Sequence, residues 1–250
     1  MIDFKDRKII YTGAAGGLGL PTTLTFLDRG ATVIVIDNNP KKIDSLMQAA
    51  KGKQGRLEIL NVDLSKSSEL QSALDGIIGK VGGVDTVINN AAVYPIKPFE
   101  EFTIDEFQLI ERVNVESALI CVQKTLPFMK EKKFGRIVNI SSVAFGGGWK
   151  NLAPYVSSKG ALVGLTRAWA REFGEFRITS NAIAPGAFPT DAEKIHPDQE
   201  GYVKYLIDHQ AVKRRGEPRD VTNALLFFIA RENSFVTGQT LHVDGGWIMN

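Results

Sequence analysis

Lys8-Ile9-Ile10-Tyr11-Thr12-Gly13-Ala14-Ala15-Gly16-Gly17-Leu18-Gly19-Leu20-Pro21 decides the fold. A short β-branched and aromatic run passes through a glycine-rich turn into a helical pattern, the opening of a βαβ unit. Gly13, Gly17 and Gly19 let the backbone turn sharply and approach a ligand with no Cβ in the way. The helix that follows offers unpaired N–H groups and the positive end of its dipole, an arrangement that holds a pyrophosphate. Pro21 falls in the first helical turn, where its missing N–H does no harm. The spacing G-x-x-x-G-x-G differs from the commoner G-x-G-x-x-G. The place of the turn between strand and helix therefore carries the reading more than the glycines do.

Working outward, short apolar runs alternate with helical patterns. Residues 8–11, 32–36, 57–60, 85–88, 136–140 and 179–183 read as strands, with a seventh candidate at 239–243. The first six are separated by segments long enough for helices, as parallel crossovers require. Their nearly continuous apolar content suits strands buried on both faces. The pattern predicts an α/β, Rossmann-type, doubly wound parallel sheet of about seven strands with helices on both faces, in one domain over 1–250. Residues 186–215, rich in Pro, charge and aromatics, interrupt it after the sixth strand. An excursion at the carboxyl end of a parallel strand sits where such sheets bind ligands, and it reads as a substrate lid.

Composition removes several functions. The chain has 250 residues, 30 basic against 28 acidic side chains and a formal charge of +2, which gives no reason to expect nucleic acid. The basic clusters at 130–133 and 213–215 read as solvated faces. No apolar run reaches the roughly 18 residues of a membrane span. The N-terminus mixes both charge signs and lacks the apolar core of a secretory signal. The single cysteine, Cys121, permits no internal disulfide and reads as a small core residue, so a cytoplasmic setting fits best. His196, His209 and His242 lack metal-ligand spacing, and no metal is expected.

Asp37 ends the second strand, 20 residues after Gly17, where a carboxylate can accept hydrogen bonds from an adenosine ribose. A phosphate on that ribose would meet a like charge; at about 4 Å and an effective dielectric of 20 this costs on the order of 4 kcal/mol. Positions 14–18 offer no basic residue, and Lys41 and Lys42 come only after Pro40. NAD is expected in preference to NADP.

Tyr155 and Lys159 stand four apart at the start of a helical stretch running to about Phe173, which places both on one face. An ammonium beside the phenol favours phenolate and should lower its pKa from about 10 toward working pH. Such a tyrosine can take a proton from an alcohol or return one to a carbonyl. Ser141-Ser142 closes the fifth strand and Asn89-Asn90-Ala91-Ala92 the fourth. Leu162, Leu165 and Trp169 form a stripe behind Tyr155, read as core or subunit interface.

With these motifs together, the sequence resembles the short-chain dehydrogenase/reductase family over essentially its whole length. The matching residues are Thr12 to Gly19, Asp63-Leu64, Asn89 to Ala92, Asn114, Ser142, Tyr155 with Lys159, and Asn181 to Gly186. The resemblance implies that Ser142 bonds the substrate oxygen and that Tyr155 is the general acid/base. Lys159 would bond the nicotinamide ribose, and Asn114 would position a water that links Lys159 to solvent. Asp63 would face the adenine with Leu64 flanking it, Leu18 would join the glycine turn, and Asn90 would contact the adenosine side. Pro185, Gly186, Phe188 and Thr190 would hold the carboxamide. A homotetramer is implied, with the Tyr155 helix and Asp244 to Trp247 in its interfaces. Two departures stand out. Ala92 replaces the usual glycine, and Phe188 replaces Ile or Val, where a ring should narrow the nicotinamide end.

The expected reaction is NAD-dependent interconversion of a secondary alcohol and a ketone. Tyr94, Trp149, Phe188, Tyr202 and Tyr205 suit an apolar, cyclic or aromatic small molecule. Lys97, Lys150 and His196 leave a sugar or polyol open, since a pyranose also stacks on an indole. Resemblance to a fatty-acid-synthesis ketoreductase would imply NADP, which Asp37 opposes. A non-catalytic dinucleotide sensor is the rival from another class. It would need the glycine turn but not Ser142, Tyr155 and Lys159.

Overall fold

Seven parallel strands form one sheet in the order β3-β2-β1-β4-β5-β6-β7. They are β1 (Lys8–Thr12), β2 (Thr32–Asp37), β3 (Arg56–Asn61), β4 (Thr86–Asn89), β5 (Gly135–Ile140), β6 (Ile178–Pro185) and β7 (Thr240–Val243). The computed structural model describes residues 3–190, 193 and 198–249. The chain winds outward from β1 to β3, then returns to lay β4 on the other side of β1. Ile10 is thus in register with Ile34 on one flank and Val87 on the other. That reversal opens a crevice at the carboxyl ends of β1 and β4, the place where ligands bind in such sheets.

Strand alternation sorts the apolar side chains into two cores. Ile9, Tyr11, Val33 and Val35 pack with Phe26, Leu225 and Phe228, beneath α1 (Gly19–Asp28) and α9 (Pro218–Ile229). Ile10, Ile34 and Val87 pack on the opposite face with Leu74, Cys121 and Trp169. The cover there is α3 (Ser67–Val81), α5 (Ser117–Lys132) and α7 (Ala153–Phe173). Cys121, Leu162 and Trp169 are therefore core residues. The edge strand β3 departs from the expected two-sided burial, its residues being half-buried or exposed. On it, Glu58 takes ion pairs from Arg56 and Lys80.

Local chemistry sets the helix ends. Asn39 caps α2 (Pro40–Ala49) by accepting from the Lys42 N–H at 3.1 Å. Thr103 and Glu106 form a reciprocal capping box at the start of α4 (Ile104–Glu111), which satisfies two otherwise orphaned donors. Between α4 and α5 the helix widens into a π turn over Arg112–Glu116, a wide-turn geometry often found at functional sites. Asn114 lies on it. The excursion after β6 contains a helix that periodicity did not announce, α8 (Gln199–His209), capped by the Asp198 side chain.

Candidate active site

A cavity of about 900 Å³ opens along the carboxyl edge of the sheet, within the size range of small-molecule and cofactor sites. Gly13, Gly17, Leu18, Asp37, Asp63, Leu64 and Asn90 line one end. Ser142, Tyr155, Lys159, Pro185, Gly186, Phe188 and Thr190 line the other, with Tyr94, Trp149 and Tyr202 on its walls. Gly19 and Asn114 stand outside the lining, each supporting it from behind. His196 lies outside the described residues, as does part of the expected lid.

The glycine end fits a dinucleotide. Gly13 has φ +62°, and a Cβ there would stand 2.8 Å from the Ala91 Cα; Gly17 has φ +50°. Both positions are closed to ordinary side chains. A Cβ on Gly19 would stand 2.4 Å from the Ala14 Cα, so this glycine serves the packing of α1 against the turn rather than ligand approach. Leu18, at the N-cap of α1, offers no side-chain acceptor, but the Gly19 and Leu20 N–H groups already donate to the Gly16 carbonyl at 2.9 and 3.3 Å. Pro21 has none, so the helix brings the positive end of its dipole rather than free N–H groups to a ligand. The Thr190 methyl lies 3.7 Å from the Cβ position of Gly17, so the segment after β6 folds back onto the turn.

The carboxylate of Asp37 is fixed at the rim. Its Oδ2 accepts from the Ala15 N–H at 3.1 Å and its Oδ1 from the Asn39 N–H at 3.0 Å. One expectation about the surroundings changes here. Although Lys42 follows Pro40 in sequence, its side chain lies over the turn, with Nζ 3.3 Å from the Cβ position of Gly16. A cation therefore shares the adenosine end with Asp37. Asp63 borders the cavity, but its Oδ1 accepts from both the N–H and the hydroxyl of Ser65, which holds its carboxyl below the ordinary range. Asn90 spends its amide N–H groups on the Thr12 and Gly13 carbonyls at 3.0 and 3.1 Å. It ties the turn to β4, so the adenosine contact implied by resemblance is not where its donors point.

At the other end, Ser142 caps α6 (Val143–Gly147), its Oγ accepting from the Ala144 N–H at 3.1 Å. That bond orients the hydroxyl beside Tyr155. Lys159 is buried, and its Nζ donates to the Ile140 carbonyl at 2.7 Å, with the Tyr155 ring centre 5.6 Å away. The Ser141 hydroxyl donates to the Lys159 carbonyl at 3.0 Å, which pins α7 to the end of β5. The expected lowering of the phenol is reversed. Desolvation pushes Tyr155 up to about 12, although its hydrogen bond with Ser142 pulls the other way. The same burial brings Lys159 down to about 7. Spacing on one helix face foretold the proximity of the pair but not that the ammonium would be desolvated too.

Asn114 is committed on both sides. Its Oδ1 accepts from the Val93 N–H at 2.8 Å, and its Nδ2 donates to the Val93 carbonyl and to the Ser158 Oγ, each at 3.0 Å. Both amide hydrogens are thus spent on holding the loop after β4 to α7, and the Oδ1 keeps one lone pair. Phe188 does not narrow the nicotinamide end as expected. Its ring turns into the core, 6% exposed, and rests where a Cβ on Gly216 would stand 2.6 Å from it.

Trp247 and Tyr205 also line the cavity. Trp247, which the resemblance places in a subunit interface, has its ring centre 4.9 Å from that of Trp149. It follows the last strand and two glycines, where neither a two-residue nor a 3.6-residue period gives it a direction. Tyr94 meets the Tyr155 ring edge-on at 5.7 Å.

A dinucleotide crevice that ends at a serine, a tyrosine and a lysine defines an oxidoreductase of the nicotinamide class. A family model described as "Enoyl-(Acyl carrier protein) reductase" matches residues 13–248. A 3-oxoacyl-(acyl-carrier-protein) reductase of Thermotoga maritima is 30% identical over 97% of this chain and 98% of its own. The 7alpha-hydroxysteroid dehydrogenase of Escherichia coli K12 is 35% identical over 96% and 93%. A crystal structure of a gluconate 5-dehydrogenase from Burkholderia cenocepacia, in complex with NADP and tartrate, superposes with TM-score 0.88. It is 27% identical and aligns over 98% of this chain and 96% of its own. The chain belongs to the short-chain dehydrogenase/reductase family. Such a protein binds a nicotinamide dinucleotide and acts on a small molecule. Among the described residues, no helix is long and apolar enough to cross a membrane.

Proposed function

We propose that the protein interconverts a secondary alcohol, borne on or beside an apolar ring, and the corresponding ketone, with NAD as the hydride carrier. The observation that carries this reading is the convergence of Ser142, Tyr155 and Lys159 on one cavity whose other end is a glycine cradle. Ser142, its hydroxyl aimed by the Ala144 N–H, donates to the substrate oxygen. As the alcohol is oxidised, its O–H proton passes to the Tyr155 oxygen while the carbinol hydrogen leaves with its electron pair. Acceptance of that hydride is the chemistry the nicotinamide supplies when bound. In the reverse direction Tyr155 returns the proton. Lys159 and the turn at Asn114 hold the proton path behind Tyr155.

Asp37 supports NAD. Its carboxylate is held by two backbone N–H groups at the point where a ribose phosphate would enter. Lys42 offsets part of that repulsion, so NAD should lead NADP by about tenfold or more rather than by the full Coulomb penalty. The apolar substrate is supported by Ile96, Leu152 and the aromatic walls. Glu193, the carboxylate nearest to hand for a polyol, is already taken by Arg215 at 2.5 and 2.7 Å. The family resemblance carries a homotetramer into the same reading, and the single cysteine, Cys121, a cytoplasmic setting.

The test is production of reduced nicotinamide from NAD and from NADP across cyclic secondary alcohols, acyclic secondary alcohols and aldose sugars. Turnover of the cyclic alcohols with kcat/KM at least tenfold higher for NAD is expected. Turnover confined to sugars would overturn the substrate class, and equal rates with NADP would overturn the role of Asp37.

A further inference from the structure

We infer that Trp247 is a specificity-determining residue, completing with Trp149 and Tyr205 an aromatic wall that takes the ring of the substrate. The inference rests on the proposed reaction and names what its substrate must carry. Three separate parts of the chain supply the wall. Trp149 follows the short helix that Ser142 caps, Tyr205 lies on α8, and Trp247 lies in the C-terminal loop. The Trp149 and Trp247 ring centres are 4.9 Å apart at 50°, and Tyr205 meets Trp247 edge-on at 6.3 Å and 81°. All three border the cavity that holds Ser142 and Tyr155.

The wall is built rather than incidental. Gly245 and Gly246 have φ +69° and +76°, and two successive left-handed residues reverse the chain just before Trp247. The buried side chain of Asp244 fastens that reversal, accepting from the Gly246 N–H at 2.9 Å and the Ile248 N–H at 2.8 Å. A Cβ on Gly186 would stand 2.8 Å from the Asp244 Cβ, so the segment at the nicotinamide end rests on the residue that aims Trp247. The chain beyond α8 joins the same loop, with the Val212 N–H donating to the Gly245 carbonyl at 2.9 Å. On the other side, a Cβ on Gly147 would lie 2.6 Å from the Trp149 ring. Only glycine there lets that indole lie back against its partner.

The chemistry of the wall selects its ligand. Rings meeting at tilted and edge-on angles present both faces and edges, which suits a flat or puckered apolar ring at ring-to-ring distances of about 4.5–7 Å. A short acyclic alcohol reaches Ser142 and Tyr155 but leaves the wall untouched. Ring binding energy is then expressed in KM.

The experiment compares cyclohexanol with butan-2-ol in the full-length protein and in Trp247→Leu and Trp247→Phe. In Trp247→Leu the ratio of kcat/KM for cyclohexanol over butan-2-ol is expected to fall at least tenfold, mainly through KM. Trp247→Phe should restore most of it. An equal loss for both alcohols, or an unchanged ratio, would overturn the inference. A second reading does not need turnover. The chain has three tryptophans, and in a Trp169→Phe background the emission comes from Trp149 and Trp247 alone. Saturable quenching by cyclohexanone, absent with butanone and lost in Trp247→Leu, supports the wall even if no alcohol is oxidised. In that case the proposed reaction alone would fail. No saturable quenching by cyclohexanone would overturn the wall itself.

Discussion

Replacing Tyr155 by Phe is expected to lower kcat for alcohol oxidation by about 10²–10⁴-fold, the range for loss of a general acid/base. The ring and its edge-on contact with Tyr94 survive the change, and the glycine cradle lies at the other end of the cavity. Dinucleotide binding should therefore persist, and a titration of cofactor fluorescence or heat would show it. The pH dependence has a definite sign. Tyr155 is held up to about 12 and Lys159 down to about 7, so near pH 7 the phenol is protonated. Oxidation needs the proton-accepting form, whose fraction rises tenfold for each pH unit below the phenol pKa. Its kcat/KM should climb from neutral to alkaline pH. Ketone reduction uses the protonated form and should lack that climb. Steady-state rates in both directions from pH 6 to 10 check this, and a Tyr155→Phe protein within tenfold of wild type would contradict the assigned role.

The second large effect lies at the opposite edge of the sheet and concerns stability. Arg7 is buried at 2% exposure, and its Nε pairs with the Asp85 Oδ1 at 2.6 Å. Its other nitrogens donate to the Ile229 carbonyl at 2.7 Å and to the Thr86 hydroxyl. The second Asp85 oxygen accepts from the Lys8 N–H at 2.9 Å. Arg136, 1% exposed, donates to the Ala230 and Arg231 carbonyls at 3.1 and 3.0 Å. Together the two guanidinium groups tie β1, β4 and β5 to the carboxyl end of α9, and both flank the Phe134 ring. Arg7→Met would leave Asp85 as a buried charge without its partner, a loss of about 3–5 kcal/mol. Urea unfolding should show the midpoint fall without a change in slope. Arg7→Met with Asp85→Leu, which removes both charges, should recover much of the loss; a single variant within about 1 kcal/mol of wild type would contradict the role given to the pair.

The two ends of the site were legible to different depths. The glycine turn, Asp37 and all seven strands could be read because each rests on local sequence: short, nearly continuous β-branched runs mark the strands, a glycine-rich turn follows the first of them, and Asp37 closes the second. Helix spacing likewise brought Tyr155 to Lys159. What the sequence left hidden depends on contacts between distant segments. Burial decides the state of the Tyr155–Lys159 pair, and burial is set by β5 and α7 together. Asn90 and Asn114 look like ligand contacts in a motif, yet the folded chain spends them on the Thr12–Gly13 and Val93 backbones. Lys42 stands five residues beyond Asp37 in sequence, and one turn of α2 carries it back over Gly16. Trp247 stands beyond two glycines with no periodicity to orient it, so its place on the cavity wall is not legible in the sequence, and resemblance alone implies an interface for it.

The most direct test of the central claim follows the carbinol hydrogen itself. The wild-type protein is mixed with NAD and cyclohexanol deuterated at the carbinol carbon, and the reduced dinucleotide is examined by NMR. The account expects one deuterium per molecule at the nicotinamide C4, on one face, with transfer suppressed in Tyr155→Phe. Reduced nicotinamide that carries no deuterium, or deuterium transfer undiminished in Tyr155→Phe, would contradict it.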